Sequence, residues 1–137
     1  MLETTTLSLA GLPAFLAYFA LAVVLSLVFI RLYTWLTPHD EFGLIRQNNN
    51  AAAVAFGGAL IGFALPLASA ITHSMSLIDC ALWGAVALVV QALTFVLLRV
   101  VVSDLPKRIE QDELASATLV AASAIAVGLI NSACMSY

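Results

Sequence analysis

Charged residues are scarce in this sequence. Of its 137 residues only 5 are Lys or Arg and 8 are Asp or Glu, so that 9% of the chain is charged while 63% is hydrophobic. An average soluble domain is about half apolar and about a quarter charged. A chain of this length cannot bury so much apolar surface in a core of its own. The composition therefore excludes a soluble globular domain, a disordered chain and a nucleic-acid binder, and it indicates a protein whose partner is the lipid bilayer.

Metal-binding and catalytic motifs are also missing. The two histidines, His39 and His73, are predicted on opposite sides of the membrane and cannot share a metal ion within one chain. No segment matches a nucleotide-binding loop, a zinc site or a catalytic triad. A disulfide between Cys80 and Cys134 would need their Cα atoms within about 7 Å, and we expect two buried free thiols instead. The sequence thus predicts no metal, no cofactor and no enzymatic activity.

The sequence does contain four long apolar runs. They cover approximately residues 12–35, 51–72, 81–102 and 114–135. Each is long enough to cross a hydrocarbon core, which takes about 20 residues at 1.5 Å each. A backbone in lipid must satisfy its own polar groups, which favours helices, and none of the runs alternates as a barrel strand does. We therefore predict an all-α fold, a four-helix transmembrane bundle in a single domain over residues 1–137.

The basic residues indicate the orientation of the bundle. All five fall at or beyond the ends of the first and third runs, whereas the amino terminus, the predicted loop at 73–80 and the carboxyl end carry none; they are Arg31, Arg46, Arg99, Lys107 and Arg108. Loops rich in Lys and Arg stay in the cytoplasm. This distribution predicts that both termini face the outside of the cell membrane.

Two copies of a two-helix unit are visible along the chain. A shift of 68 residues superposes the first run on the third and pairs Arg31 with Arg99, each followed by a proline after six further residues. A shift of 63 residues superposes the second run on the fourth. Chance pairing of Ala and Leu is the alternative. We interpret the pattern as a tandem repeat of a hairpin, about 12–73 and about 80–137, with its symmetry axis along the membrane normal.

Small residues recur at helical spacing in the second and fourth runs. The pair Gly58 and Gly62 would let two helix backbones approach closely. Two occupants of this face are possible: the fourth run of the same chain, or the same face of a second copy in a homo-oligomer. The helix-packing candidates are Ala55, Gly58, Gly62, Pro66 and Gly128.

A few polar residues lie within the apolar runs, where they are functional candidates by default. Each could instead form a structural hydrogen bond between helices. None of them can ionise, which argues against a proton-coupled transporter or an ion pump. The intramembrane polar candidates are Ser26, Gln91, Thr94 and Asn131.

Four further residues are candidates for the membrane interface. Arg31 and Arg99 lie about one turn inside the predicted cytoplasmic boundary, where their side chains can reach lipid headgroups. Trp35 and Tyr33 occur at the same level and have the character of interface anchors. The simplest role for the arginines is to fix the orientation, and the alternative is a basic vestibule for anionic lipid.

The first long loop predicts a short helix lying on the membrane surface. Thr37 would cap it and Pro38 would occupy its first position, with Glu41 and Arg46 facing water. The amide-rich segment 47–50 that follows would cap the second span, because an Asn side chain accepts hydrogen bonds from the free amides of the first turn.

Several segments together resemble a known family. The segments that carry the resemblance lie at 37–41, 48–53, 55–58, 66–70 and 131–135. In this order they are Thr-Pro-His-Asp-Glu, an Asn-rich run continuing into alanines, the Gly-Gly part of the second run, the Pro-containing part of the same run, and the final Asn-Ser-Ala-Cys-Met. They resemble the YjfL-type inner-membrane proteins of the domain-of-unknown-function 350 family. The resemblance covers essentially the whole chain. It implies a bacterial inner-membrane protein of four helices built as a doubled two-helix unit, and it supplies no catalytic residue or cofactor.

Two functional hypotheses remain open at this point. The first is a structural or interaction component of the inner membrane, with a role under envelope stress as one option and with a protein partner that the sequence does not identify. The second is an oligomeric channel or small-solute transporter whose path is lined by the polar candidates. The second needs several copies, because four helices with so few polar positions leave little room for a pore in one protomer.

Overall fold

The computed structural model of the protein describes residues 2–37 and 40–135, and this part of the chain is helical without strands. Its elements in chain order are α1 (Leu2–Ala10), α2 (Leu12–Leu36), α3 (Glu41–Arg46), α4 (Asn50–His73), α5 (Leu77–Val101), α6 (Leu105–Glu110) and α7 (Leu114–Cys134). Four stretches are long and apolar enough to cross a membrane: α1 together with α2, then α4, α5 and α7. The predicted all-α fold with four spans is confirmed.

The first and third spans are longer than the sequence indicated. A helical segment, α1, precedes α2 and is exposed along its whole length. The two are separated at Gly11, one residue before the start of α2, and Pro13 lies in the first turn of α2, where a missing amide hydrogen costs nothing. The third span begins at Leu77, because the Ser76 side chain accepts a hydrogen bond from the Asp79 amide and caps the helix there.

The short helix in the first loop exists, but it starts later than predicted, and it is rotated about its axis so that a different face is buried. Thr37 ends α2 instead of starting a new helix, since its amide donates to the carbonyl of Tyr33. Asp40 is the N-cap of α3, and Pro38 lies outside the described residues, as does His39. Glu41 is 1% exposed and does not face water as predicted. It shares one face of α3 with Leu44 and Ile45, which pack against the core.

Helices α4 and α7 form the centre of the bundle. Gly58 lies against Ala121, and Gly62 lies against Ala124 and Gly128, so the two helices run parallel in closest contact. A Cβ added at any of these three glycines would overlap atoms of the facing helix. The glycine face of α4 is therefore occupied by α7 of the same chain, the first of the two alternatives considered above.

The other two spans cover this pair on one side. Helix α5 packs against both α4 and α7, whereas α2 packs against α4 and α5. The core contains the aromatic residues Phe29, Tyr33, Phe63 and Phe95 together with small residues of α4 and α7. At the end of the bundle where α4 and α7 begin, α3 packs against α4, and α6 packs against α4, α5 and α7.

Candidate functional site

The polar centre of the bundle lies where α4, α5 and α7 meet. Pro66 has no amide hydrogen, so the carbonyl of Gly62 one turn earlier loses its usual partner within α4. The Gln91 side chain of α5 donates from Nε2 to this Gly62 oxygen at 3.0 Å and to the Ala124 oxygen of α7 at 3.1 Å. One amide group thus replaces the missing helix bond and joins three helices.

The sequence of α5 explains how Gln91 reaches this point. The buried residues of α5 recur every three or four positions and are Cys80, Gly84, Ala87, Gln91 and Phe95. Gly84 of this stripe lies against Leu25 of α2, and Gln91, two turns further on, is 4% exposed. A side-chain amide carries two N–H hydrogens. Both are directed at main-chain carbonyls, which leaves the amide nitrogen of Gln91 with no hydrogen to offer a solute.

Two of the other polar candidates bond within their own helices. Thr94 donates from Oγ1 to the carbonyl of Val90 at 2.8 Å, and Ser26 donates from Oγ to the carbonyl of Ala22 at 2.8 Å. Hydroxyls bonded in this way are satisfied locally and do not need a partner across the bundle. Asn131 differs, because its Nδ2 is buried and has no hydrogen-bond partner within the described part of the chain.

A small cavity lies beside Gln91. Its volume is about 20 Å³, and Thr94 and Tyr33 contribute to a wall that is otherwise apolar. A space of this size is enough for about one water molecule. Of the four intramembrane polar candidates the structure brings Gln91 and Thr94 together at this cavity, whereas Ser26 and Asn131 are not among its lining residues.

Tyr33 is the main residue whose position the sequence did not indicate. It is 3% exposed, so the prediction of an interface anchor is wrong for this residue. Its ring packs against Phe29, Phe56 and Phe95, with centroid distances of 6.2, 5.5 and 5.4 Å. Its hydroxyl has no hydrogen-bond partner among the described residues. The available signal was the spacing of Leu25, Phe29 and Tyr33, which places a single stripe on one face of α2.

The amide-rich loop connects the two halves of the chain. Asn49 caps α4 by accepting from the Ala52 amide at 2.9 Å, and its Nδ2 donates to the carbonyls of Ile109 and Glu110 at 3.2 and 3.1 Å. From the other half, Asp112 accepts from the amide of Ala51, also at 2.9 Å. The capping prediction therefore missed a second role, since these side chains also bridge the start of α4 to the end of α6.

The predicted interface arginines and Trp35 lie on the outside of the bundle. Trp35 is 78% exposed, and Arg31 is exposed as well. Arg99 reaches across from α5 and donates from Nη1 to the carbonyl of Leu36 at 3.1 Å. This bond satisfies one of the free carbonyls at the end of α2 and places a positive charge where the helix dipole favours it.

The cysteines are not bonded to each other. Cys80 is buried and Cys134 is exposed, and both are free. The expectation of two buried thiols is therefore wrong for Cys134, which is the last residue of α7 and is not part of the buried cluster of Ala70, Cys80 and Met135. Within residues 2–37 and 40–135 no three His, Cys, Asp or Glu side chains lie close enough together to hold a metal ion.

These features define a class of protein. Four membrane-length helices, with their internal polar groups bonded largely to their own backbone, are the architecture of a multi-pass α-helical membrane protein. The chain belongs to the family described as Domain of Unknown Function (DUF350), whose model matches residues 6–135.

Known proteins agree with this assignment. The chain is 39% identical over 129 residues to "UPF0719 inner membrane protein YjfL" of Escherichia coli (strain K12), a match that covers 94% of this chain and 98% of that protein. The protein of the same name from Escherichia coli O157:H7 matches equally well. No solved structure matches the chain.

Proposed function

We propose that this protein is a structural or interaction component of the bacterial inner membrane, and neither a pore nor an enzyme. The observation that carries the proposal is the use of Gln91, whose amide donates both of its hydrogens to the carbonyls of Gly62 and Ala124. A solute path through one protomer would need free polar groups at this level of the membrane. The location is proposed by similarity, since the relative with 39% identity is named an inner membrane protein.

The small space inside the bundle supports the same proposal. The cavity beside Gln91 holds about 20 Å³, which is room for about one water molecule and not for a solute with its hydration shell. Thr94, the second polar residue at the cavity, already donates to the carbonyl of Val90. A partner would therefore bind to the outer surface of the bundle.

We further propose that the end of the bundle with α3 and α6 faces the cytoplasm and that both termini lie in the periplasm. All five basic residues occur at this end or in its loops, and Lys and Arg are retained on the cytoplasmic side. A parallel duplication of a two-helix unit is compatible with this orientation, because the parallel pair of α4 and α7 would be the equivalent second helices of the two units.

Self-association is the interaction that we propose for the outer surface. The face of α4 with Gly58 is occupied by α7, but the neighbouring Gly57 has no atom of the described chain near its Cβ position. On the same outer face of α4, Ala53, Ala64 and Ala68 are exposed. Small residues let membrane helices approach closely, so this face suits a second copy.

The experiment combines transport and cross-linking. We expect purified protein in vesicles to pass neither ions nor small polar solutes, and we expect Gly57→Cys to form disulfide-linked dimers in membranes when Cys80 and Cys134 are replaced by Ala. Val100→Cys is the matched control, because Val100 is 78% exposed on α5 and lies outside the proposed face. Solute flux that is lost in Gln91→Leu would contradict the proposal and support an oligomeric channel. Equal cross-linking at both positions would contradict the proposed self-association face.

A further inference from the structure

A shallow groove runs along the outer surface of α2 next to the end that bears α3 and α6. Its volume is about 530 Å³, and four aliphatic side chains form its walls, while Arg31 and Trp35 also line it; the aliphatic residues are Val24, Leu27, Val28 and Leu32. The residues from Val24 to Trp35 extend over roughly 16 Å at 1.5 Å per residue. One leaflet of a bilayer has a hydrocarbon depth of about 15 Å, half of the full core. The aliphatic part between Val24 and Arg31, roughly 10 Å long, therefore follows about two thirds of the depth of one leaflet, and the rest of the groove lies at its edge.

The positive charge in this groove has no negative partner among residues 2–37 and 40–135. Arg31 is exposed, and its guanidinium forms no ion pair or hydrogen bond with a side chain of the described residues, while its carbonyl oxygen accepts from the Thr34 hydroxyl. The residues one turn before it, Leu27 and Val28, and Trp35 one turn after it are uncharged. A guanidinium at the edge of the hydrocarbon region is costly unless an anion or water reaches it. A single phosphodiester group at this position would supply the missing negative charge with two parallel hydrogen bonds.

We propose that this groove binds an acidic phospholipid of the surrounding bilayer. The phosphate of the lipid lies on Arg31, one acyl chain follows the aliphatic wall toward Val24, and the Trp35 ring, one turn nearer the aqueous phase, lies at the level of the headgroup. Trp side chains prefer this level because one edge of the ring is apolar and the other can donate a hydrogen bond. The Arg99 guanidinium, bonded to Leu36 at the same end of α2, adds a second positive charge near the headgroup region.

An acidic lipid fits this surface better than a second copy of the chain. A protein partner seated on the groove would enclose Arg31 among apolar side chains and would have to provide a buried carboxylate. The proposal does not depend on the structural role suggested above, since it uses a different face from the one around Gly57. Failure of either proposal would leave the other intact.

The test measures lipid retention by native mass spectrometry of the purified full-length protein. The probes are phosphatidylglycerol and phosphatidylcholine with identical acyl chains, so that only the headgroup charge differs. We expect wild type to retain phosphatidylglycerol about fivefold better, the effect of one basic residue at a membrane surface. Arg31→Gln abolishes this preference. Arg46→Gln is the matched control and keeps it, because Arg46 is also an exposed arginine but lies at the end of α3, outside the groove.

A second variant separates the groove from the charge. Val28→Trp fills the aliphatic wall without changing any charge, and we expect it to lower the retention of both lipids. Persistence of the phosphatidylglycerol preference in Arg31→Gln, or its equal loss in Arg46→Gln, would overturn the proposal. Displacement of the lipid by inorganic phosphate would instead indicate a site for a soluble anion. A dimer that is lost in Val28→Trp would assign the groove to a second copy.

Discussion

At the scale of single residues, the hydrogen bonds of Gln91 decide how the bundle is held together. Replacing it with Leu removes the donor for the Gly62 carbonyl, which Pro66 leaves without a partner inside α4. We expect Gln91→Leu to lower the free energy of unfolding by about 1–2 kcal/mol, the cost of an unsatisfied carbonyl in an apolar interior. Unfolding by sodium dodecyl sulfate in mixed micelles, followed by circular dichroism, measures this loss.

The origin of that cost can be tested with Pro66. In Pro66→Ala the new amide hydrogen at position 66 can reach the Gly62 carbonyl, so Gln91→Leu should cost roughly half as much in this background as in wild type. Thr94→Val is the matched control for a polar residue at the same cavity. Within the described part of the chain its hydroxyl bonds to the carbonyl of Val90 in its own helix, so its loss should be nearly neutral. Additive losses for Gln91→Leu and Pro66→Ala would show that the two residues do not act on the same carbonyl.

At the scale of elements, substitutions at two neighbouring glycines of α4 test the contact between α4 and α7. A Cβ at Gly58 would overlap Ala121, whereas a Cβ at Gly57 would meet no atom of another described helix within 4 Å. We expect Gly58→Val to destabilise the protein by about 2–3 kcal/mol through overpacking and Gly57→Val to change the stability of the monomer by less than about 0.5 kcal/mol. The same unfolding titration, made at a dilution that keeps the protein monomeric, compares the two variants. Equal losses would contradict the parallel contact of α4 with α7.

The start of α4 offers a second test at this scale. Asn49 caps α4 and also binds the last carbonyls of α6, so Asn49→Ala should cost about 1–2 kcal/mol, toward the upper end of the range for a helix cap. Its neighbour Asn50 is exposed, and Asn50→Ala should be close to neutral. Hydrogen exchange read by mass spectrometry should show faster exchange in α6 as well as in the first turn of α4. Faster exchange in α4 alone would mean that the bridge to α6 adds no stability.

At the scale of the whole molecule, the sequence predicted those features that depend on the membrane as a solvent. Apolar length identified the four spans, because a helix must be about 20 residues long to cross the hydrocarbon core. Gly58 and Gly62 identified the face for close packing, but only the structure showed that α7 occupies it. The burial of Glu41 could not be predicted, because hydropathy does not report how helices are rotated about their axes. The burial of Tyr33 was signalled only by its spacing with Leu25 and Phe29, since its neighbours Phe56 and Phe95 come from other helices.

The proposed orientation of the molecule in the membrane rests on charge alone and can be measured directly. Met75 is 93% exposed in the turn between α4 and α5, and Gln47 is exposed between α3 and α4 at the opposite end. With Cys80 and Cys134 replaced by Ala, we expect Met75→Cys to react with a membrane-impermeant maleimide in cells whose outer membrane has been opened. Gln47→Cys should react only after the inner membrane is lysed, because its end of the bundle carries all the basic residues and Lys and Arg are retained on the cytoplasmic side. Labelling of Gln47→Cys before lysis would show that the few positive charges of this chain do not determine its topology.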